Sequence, residues 1–123
     1  MCFWFSFFFS LPVDISLAVE RLGLEAELIQ ELVHIFLQEA PRHIRHMQRA
    51  LTRTDAVSLE RVAHTLRGTS ASLCIDGVCV HACRLELLAR EGRMERVPPA
   101  LDALRMEVRR LDDYLSDLLA SNS

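Results

Sequence analysis

From Asp14 onward the apolar positions recur every three or four residues, the period of a helix turning one face to a core. Asp14 is suited to cap a short first helix, and Gly23 to end it. The next segment places Leu28, Leu32, Ile35, Phe36 and Glu39 along one stripe, which resumes after Pro41 with Ile44, Met47 and Leu51. Pro41 either kinks one long helix or divides two. Thr54 or Asp55 opens a third segment that runs to about Leu73. A fourth lies between Asp76, read as its N-cap, and Gly92, read as its stop. The last begins near Pro98–Pro99, residues that fit a first helical turn. It sets Leu101, Leu104, Val108, Leu111, Leu115 and Leu118 at alternating spacings of three and four, an a/d seam. No stretch alternates with period two for long enough to form a strand. The predicted fold is all-α: an antiparallel four-helix bundle over residues 14–120 with a short leading N-terminal helix.

Residues 1–13 stand apart as an apolar, aromatic extension. Six of the chain's eight aromatic side chains (Phe3, Trp4, Phe5, Phe7, Phe8, Phe9) fall here, leaving Phe36 and Tyr114 for the remainder. The bundle core is therefore aliphatic. The extension is too short for a membrane-spanning helix of about 20 residues, and no Arg precedes Arg21 to form the positive region of a secretory signal. A flap over an apolar groove or a start-site artefact is the expected reading, ahead of an interfacial anchor.

Charge adds one local feature. All fourteen basic residues are Arg, and the net charge is −3. Residues 42–67 carry six Arg against Asp55 and Glu60, a local +4, while the rest of the chain totals −7. An acidic chain with a basic belt suggests an acidic partner and argues against a dedicated nucleic-acid binder. No Gly-rich phosphate loop follows a strand-like run, which removes a Rossmann-type site. The four Cys, at 2, 74, 79 and 83, lack a disulfide framework spacing and read as reduced cytosolic thiols.

At about 100° per residue, Leu59, Val62, Ala63, Leu66, Ser70 and Leu73 gather on the buried side of the third segment. His64 then points roughly 160° from the centre of that stripe, into solvent. Gly68 follows one turn along the same outer face, Ala71 and Ser72 continue it, and Arg67 flanks it. A mid-helix Gly destabilises by roughly 0.5–1 kcal/mol relative to Ala. What it provides on an outer face is room for a partner beside the imidazole. Imidazole, with an ordinary pKa of about 6.5, is largely neutral at pH 7 and keeps a lone pair for attack. A neighbouring cation suits the oxygens of a phosphoryl group.

The run Ala63-His64-Thr65-Leu66-Arg67-Gly68-Thr69-Ser70-Ala71-Ser72-Leu73 resembles the signature of histidine-containing phosphotransfer (HPt) domains, typically A-H-x-L-K-G-S-S-A-x-L on the second helix of a four-helix bundle. Upstream, Phe36-Leu37-Gln38-Glu39-Ala40-Pro41 with Met47 and Ala50-Leu51 resembles that family's preceding helix. Downstream, Leu85-Glu86 and Ala89-Arg90-Glu91-Gly92 resemble the end of its following helix. The resemblance spans roughly residues 14–118. It implies that His64 accepts a phosphoryl group from a receiver domain's aspartyl phosphate and passes it to another receiver. Arg67 would then stabilise the phosphoryl group and Gly68 would give access. Glu60, Arg61, Ala71 and Ser72 would dock the partner. The chain would need no cofactor of its own, the Mg²⁺ being carried by the receiver. The implied partners are response-regulator receivers and a hybrid sensor kinase, with no nucleic acid and no membrane, for a cytoplasmic monomer.

The sequence departs from the pattern twice. Arg67 stands where the family usually has Lys, and a planar fork does not replace an ammonium contact for contact. Cys74 stands where Gly often ends the histidine helix. A left-handed Cys would cost roughly 1–2 kcal/mol, so the helix is expected to run on or end differently. Other constellations are weaker. His43 and His46 could offer two metal ligands, but Arg42, Arg45 and Arg49 surround them. Cys79 and Cys83 lack a second pair, His81 sits at the edge of its helix's apolar side, and His34 carries no distinguishing pattern. The competing function is a helical interaction or dimerisation module without chemistry, using the Leu seam or the aromatic extension.

Overall fold

The computed structural model describes residues 11–121, so the aromatic run at residues 1–10 lies outside the described residues. Five α-helices follow one another: α1 Ile15–Leu22, α2 Ala26–Thr52, α3 Ala56–Ser72, α4 Asp76–Arg90 and α5 Val97–Ser121. A single 3-10 turn, Met94–Arg96, precedes α5. Helices α2 to α5 pack in a ring, each against the next and α5 back against α2, and α1 lies on α2. Asp14 caps α1 by accepting from the Leu17 N–H at 3.0 Å, and Gly23 closes it with a left-handed φ of 67°. Pro41 sits inside α2 without dividing it. Asp76 occupies the first turn of α4, after the N-cap Ile75. No helix among the described residues is long and apolar enough to cross a membrane.

The core is aliphatic, with Ile29, Val33, Met47, Leu59, Leu66 and Leu85 among its buried members. Val13 is also buried in it, although the sequence pattern assigns that residue to the extension. Along α2 the buried stripe is Ile29, Val33, Phe36 and Ala40, continuing as Ile44, Met47 and Ala50. This corrects the predicted stripe. Leu28 and Ile35 are exposed, and Leu32 is half-buried. The helix is rotated so that Ala40, a small residue carrying little weight in a hydrophobic pattern, takes a core position. The α5 seam is a core element, since Leu101, Leu104, Leu111 and Leu115 are all buried within the single chain. A dimer interface built on those leucines is thereby excluded.

Three helix ends share one hydrogen-bond pattern. At the end of α4, Arg93 N donates to Leu88 O at 2.9 Å and Gly92 N to Ala89 O at 3.1 Å, the paired bonds of a left-handed C-cap. At the end of α2, Asp55 N donates to Ala50 O and Thr54 N to Leu51 O. At the end of α3, Ile75 N donates to Ser70 O and Cys74 N to Ala71 O. Only the α4 end uses Gly. Thr54 and Cys74 adopt φ of 55° and 59°. The expectation that the histidine helix runs on or ends differently at Cys74 is therefore corrected: it ends there with Cys74 left-handed. The Cys74 side chain offsets some of that strain by packing in the core, and its carbonyl accepts from Asp14 N at 3.0 Å, tying in the start of α1. Thr54 is exposed and has no such compensation.

Thr54→Gly should therefore raise stability by about 0.5–1 kcal/mol, the left-handed penalty less the extra unfolded-chain freedom of glycine. Cys74→Gly gives up a buried side chain and should gain less. Urea-denaturation midpoints test both, and a lowered midpoint for Thr54→Gly would contradict the strain argument.

Candidate functional site

Asp55 starts α3 by accepting from the Ser58 N–H at 3.1 Å and from its hydroxyl at 2.7 Å. With the helix so begun, Leu59, Ala63, Leu66 and Ser70 face the core. His64 falls on the outer side, its side chain 63% exposed. Gly68 is one turn on, and a Cβ built there would meet nothing within 4 Å. The imidazole stands between two shallow hollows. One is lined by Leu32, Thr65, Gly68, Thr69 and Ser72. The other is lined by Glu60, Arg61, Arg67, Glu86 and Arg90.

The chemistry of the second hollow depends on Glu86, a residue that the sequence pattern gives no role. Glu86 lies on the buried face of α4 between Leu85 and Leu88 and is only 4% exposed. Its Oε1 accepts from Arg67 Nε at 2.5 Å, and its Oε2 accepts from Arg90 Nη2 at 2.9 Å. Oε2 also lies 2.8 Å from His64 Nδ1. The Arg67 hydrogen bond holds the Glu86 carboxyl below the usual carboxylate range, against burial, which pushes it up. The signal was in the sequence: a Glu within the apolar stripe Ala82, Leu85, Leu88, Ala89 is a buried charge that needs donors.

His64 Nδ1 also lies 3.0 Å from Arg67 Nη2, so two tautomers compete. An ionised carboxylate only accepts and a guanidinium only donates. Facing the ionised, buried Glu86, Nδ1 is the protonated nitrogen and donates to it. The Nε2 lone pair is left free and outward. Arg67, 37% exposed, has other directions for its Nη2 protons.

Of the expected site residues, His64, Arg67 and Gly68 come together. Arg67 is bonded to Glu86 on the Nδ1 side of the ring. Glu60 accepts from Arg90 Nε at 2.9 Å, and Arg61 lines the same hollow. Ser72 lines the opposite hollow, its hydroxyl donating to Gly68 O at 3.0 Å, and Ala71 is exposed further along α3. The basic belt does not form one surface: Arg45 lies in a groove between α2 and α5, away from Arg61 and Arg67. Among the described residues no group of three or more His, Cys, Asp or Glu is arranged to hold a metal. His43 is half-buried, and burial, then Arg42, pushes its pKa down. Cys74, Cys79 and Cys83 are free thiols.

Residues 31–118 match the family model of the Hpt domain. No curated protein matches the sequence. Among solved structures, histidine-containing phosphotransfer protein B (HptB) from Pseudomonas aeruginosa PAO1 is similar, with a TM-score of 0.78 at 19% identity, over 88% of this chain and 94% of that one. The HPT domain of the Hpt sensor hybrid histidine kinase from Shewanella is similar with a TM-score of 0.73 at 17% identity, over 89% and 95%. At these identities the likeness establishes the shared helical fold.

The Glu86 geometry fixes a pH dependence. A carboxyl whose folded pKa is lowered adds stability above its unfolded value, and the contribution is lost as pH falls through the folded value. The stability advantage of wild type over Glu86→Gln should therefore shrink below pH 4.5, the ordinary glutamate value. Denaturation midpoints across that range test this, and an advantage that grows on acidification would refute the assignment.

Proposed function

The chain belongs to the Hpt domain family and is a phosphorelay carrier, and from that premise we propose that His64 Nε2 is the atom that carries the phosphoryl group. The observation behind the assignment is the 2.8 Å contact between Nδ1 and the buried Glu86 carboxylate on an otherwise open imidazole. As the Nε2–P bond forms, the O–P bond of the receiver's aspartyl phosphate breaks and the aspartate leaves as a carboxylate. The proton stays on Nδ1. Positive charge developing on the ring is balanced by Glu86, already in place before the reaction. Transfer onward reverses these steps, and no general base is required.

The loose transition state of phosphoryl transfer asks for positioning and charge balance more than for covalent help from the protein. Arg67 is assigned to the phosphoryl oxygens, which it reaches by loosening its bond to Glu86 while Arg90 goes on balancing that carboxylate. The receiver brings the Mg²⁺, and this chain contributes no cofactor. Glu60 and Arg61 on one side of His64, and Ala71 and Ser72 beyond it, form the docking face. Leu32 and the 50% exposed Ile35 supply an apolar shoulder beside it. The phosphoryl donors and acceptors are response-regulator receivers and a hybrid sensor kinase, engaged by a cytoplasmic monomer.

Incubation with a phosphorylated receiver should place acid-labile phosphate on wild type and none on His64→Gln. Labelling that persists in His64→Gln would sink the assignment. Gly68→Gln separates stability from function. With free space at that Cβ, it should gain about 0.5–1 kcal/mol of helix stability yet slow transfer at least tenfold by blocking the receiver's approach. A stabilised variant with an undiminished transfer rate would overturn the steric argument.

A further inference from the structure

A second concave surface lies on the opposite flank of α2 from His64. A groove of about 570 Å³ runs between α2 and α5, and it shares no lining residue with either hollow at the imidazole. Its walls include Leu37, Ile44 and Val108 as apolar contacts. Pro41 also lines it and has no N–H to offer the Leu37 carbonyl, so an acceptor without its usual helical donor stands at the groove wall. One end is bridged, since Arg105 Nη2 donates to Gln48 Oε1 at 2.9 Å while Nη1 is held by Asp102 at 2.9 Å.

The charge arrangement decides what would fit. The helices are antiparallel, so Arg45, three residues before Gln48, and Arg109, four after Arg105, stand at one level on opposite walls. Neither makes an ion pair or hydrogen bond among the described residues, although the chain carries seventeen carboxylate side chains. Asp112 is the one acidic residue of the lining, set against three arginines. The lining on α2 runs from His34 to Gln48, about 20 Å at 1.5 Å per residue. A long, open trough with an apolar floor and two uncompensated guanidiniums fits an extended anionic segment, not a compact ligand that needs enclosure.

We propose that this groove docks an acidic amphipathic helix of a partner protein, with its apolar residues against Leu37, Ile44 and Val108 and its carboxylates between Arg45 and Arg109. The surface is separate from the His64 face. A protein held there leaves the imidazole open to receivers, and the groove tethers the carrier without interrupting transfer.

The test uses the full chain and a fluorescent synthetic helix-forming peptide with Leu along one face and Glu elsewhere, followed by anisotropy and by ¹⁵N amide shifts. The expected result is binding that weakens with added salt and shifts confined to the α2–α5 groove. An Arg45→Glu/Arg109→Glu variant should bind at least tenfold more weakly while keeping its phosphotransfer rate. A peptide with Lys in place of Glu should not bind. Equal affinity for the double variant, or shifts centred on Leu32, Thr65 and Gly68, would overturn the proposal. So would self-association of the chain without peptide, lost in the double variant, because it would give the groove to a second copy. Loss of phosphate from His64 would instead count against the carrier assignment and leave this result standing.

Discussion

A carboxylate inside the interface of α3 and α4 sets the terms for this molecule. An unpaired buried charge is too costly to keep, so the fold must bring Glu86 its donors. It does so from both helices: His64 and Arg67 from α3, and Arg90 from one turn further along α4. Sliding or rotating α3 against α4 would take two of its three donors away. The interaction that holds the helices in register therefore also orients the imidazole. An imidazole on a solvent-facing helix ordinarily lacks enclosing walls, and here one buried acceptor supplies the constraint. The exposed ring is held by its inner nitrogen, with its outer nitrogen free.

The all-arginine composition acquires a physical meaning at this point. A lysine at position 67 would offer one compact charge, to be given either to Glu86 or to an incoming phosphoryl group. Arginine has a fork. Its Nε is spent on Glu86 Oε1, while Nη2 lies 3.0 Å from His64 Nδ1, at the edge of the imidazole. The fork thus holds Glu86 through Nε and keeps its Nη donors over, which one compact ammonium cannot do. Arg90 is what keeps that arrangement from being a trap, because it balances Glu86 at Oε2, the oxygen that Arg67 does not hold, and is itself steadied by Glu60.

Much of this was legible in residues alone. The helical period gave five helices with ends close to those found, because caps such as Asp14, Asp55 and Gly92 have local physical causes. The outward placement of His64 and Gly68, with Arg67 beside them, was legible because helix geometry converts spacing directly into direction, while the roles proposed for them rest on the resemblance. The failures are instructive. The α2 stripe was misplaced because leucines weigh heavily in a pattern and alanine hardly at all, while packing in the bundle selected Ala40 and left Ile35 outside. Cys74 was expected to avoid a left-handed backbone, an expectation that holds for an exposed residue. It fails where the side chain fills the core. Glu86 could have been found by asking why an acid stands in an apolar stripe. Its three partners could not, because they depend on which helices adjoin.

The charge pattern carries the final step. A local excess of +4 along one stretch of sequence reads as one belt, but a helix and its neighbour divide that stretch between two faces. Arg61 and Arg67 border the imidazole, where Glu86 and Glu60 match Arg67 and Arg90. Arg45 lies across α2, where Arg109 joins it and no carboxylate among the described residues pairs with either. The matched charge at Glu86 orients the imidazole, and the pair of arginines across α2 is the one assigned to a partner from outside. The bundle therefore keeps the two tasks on separate flanks of one long helix. Pro41 sits within that helix, and the hydrogen bond it lacks falls on the groove flank, away from the geometry that holds His64.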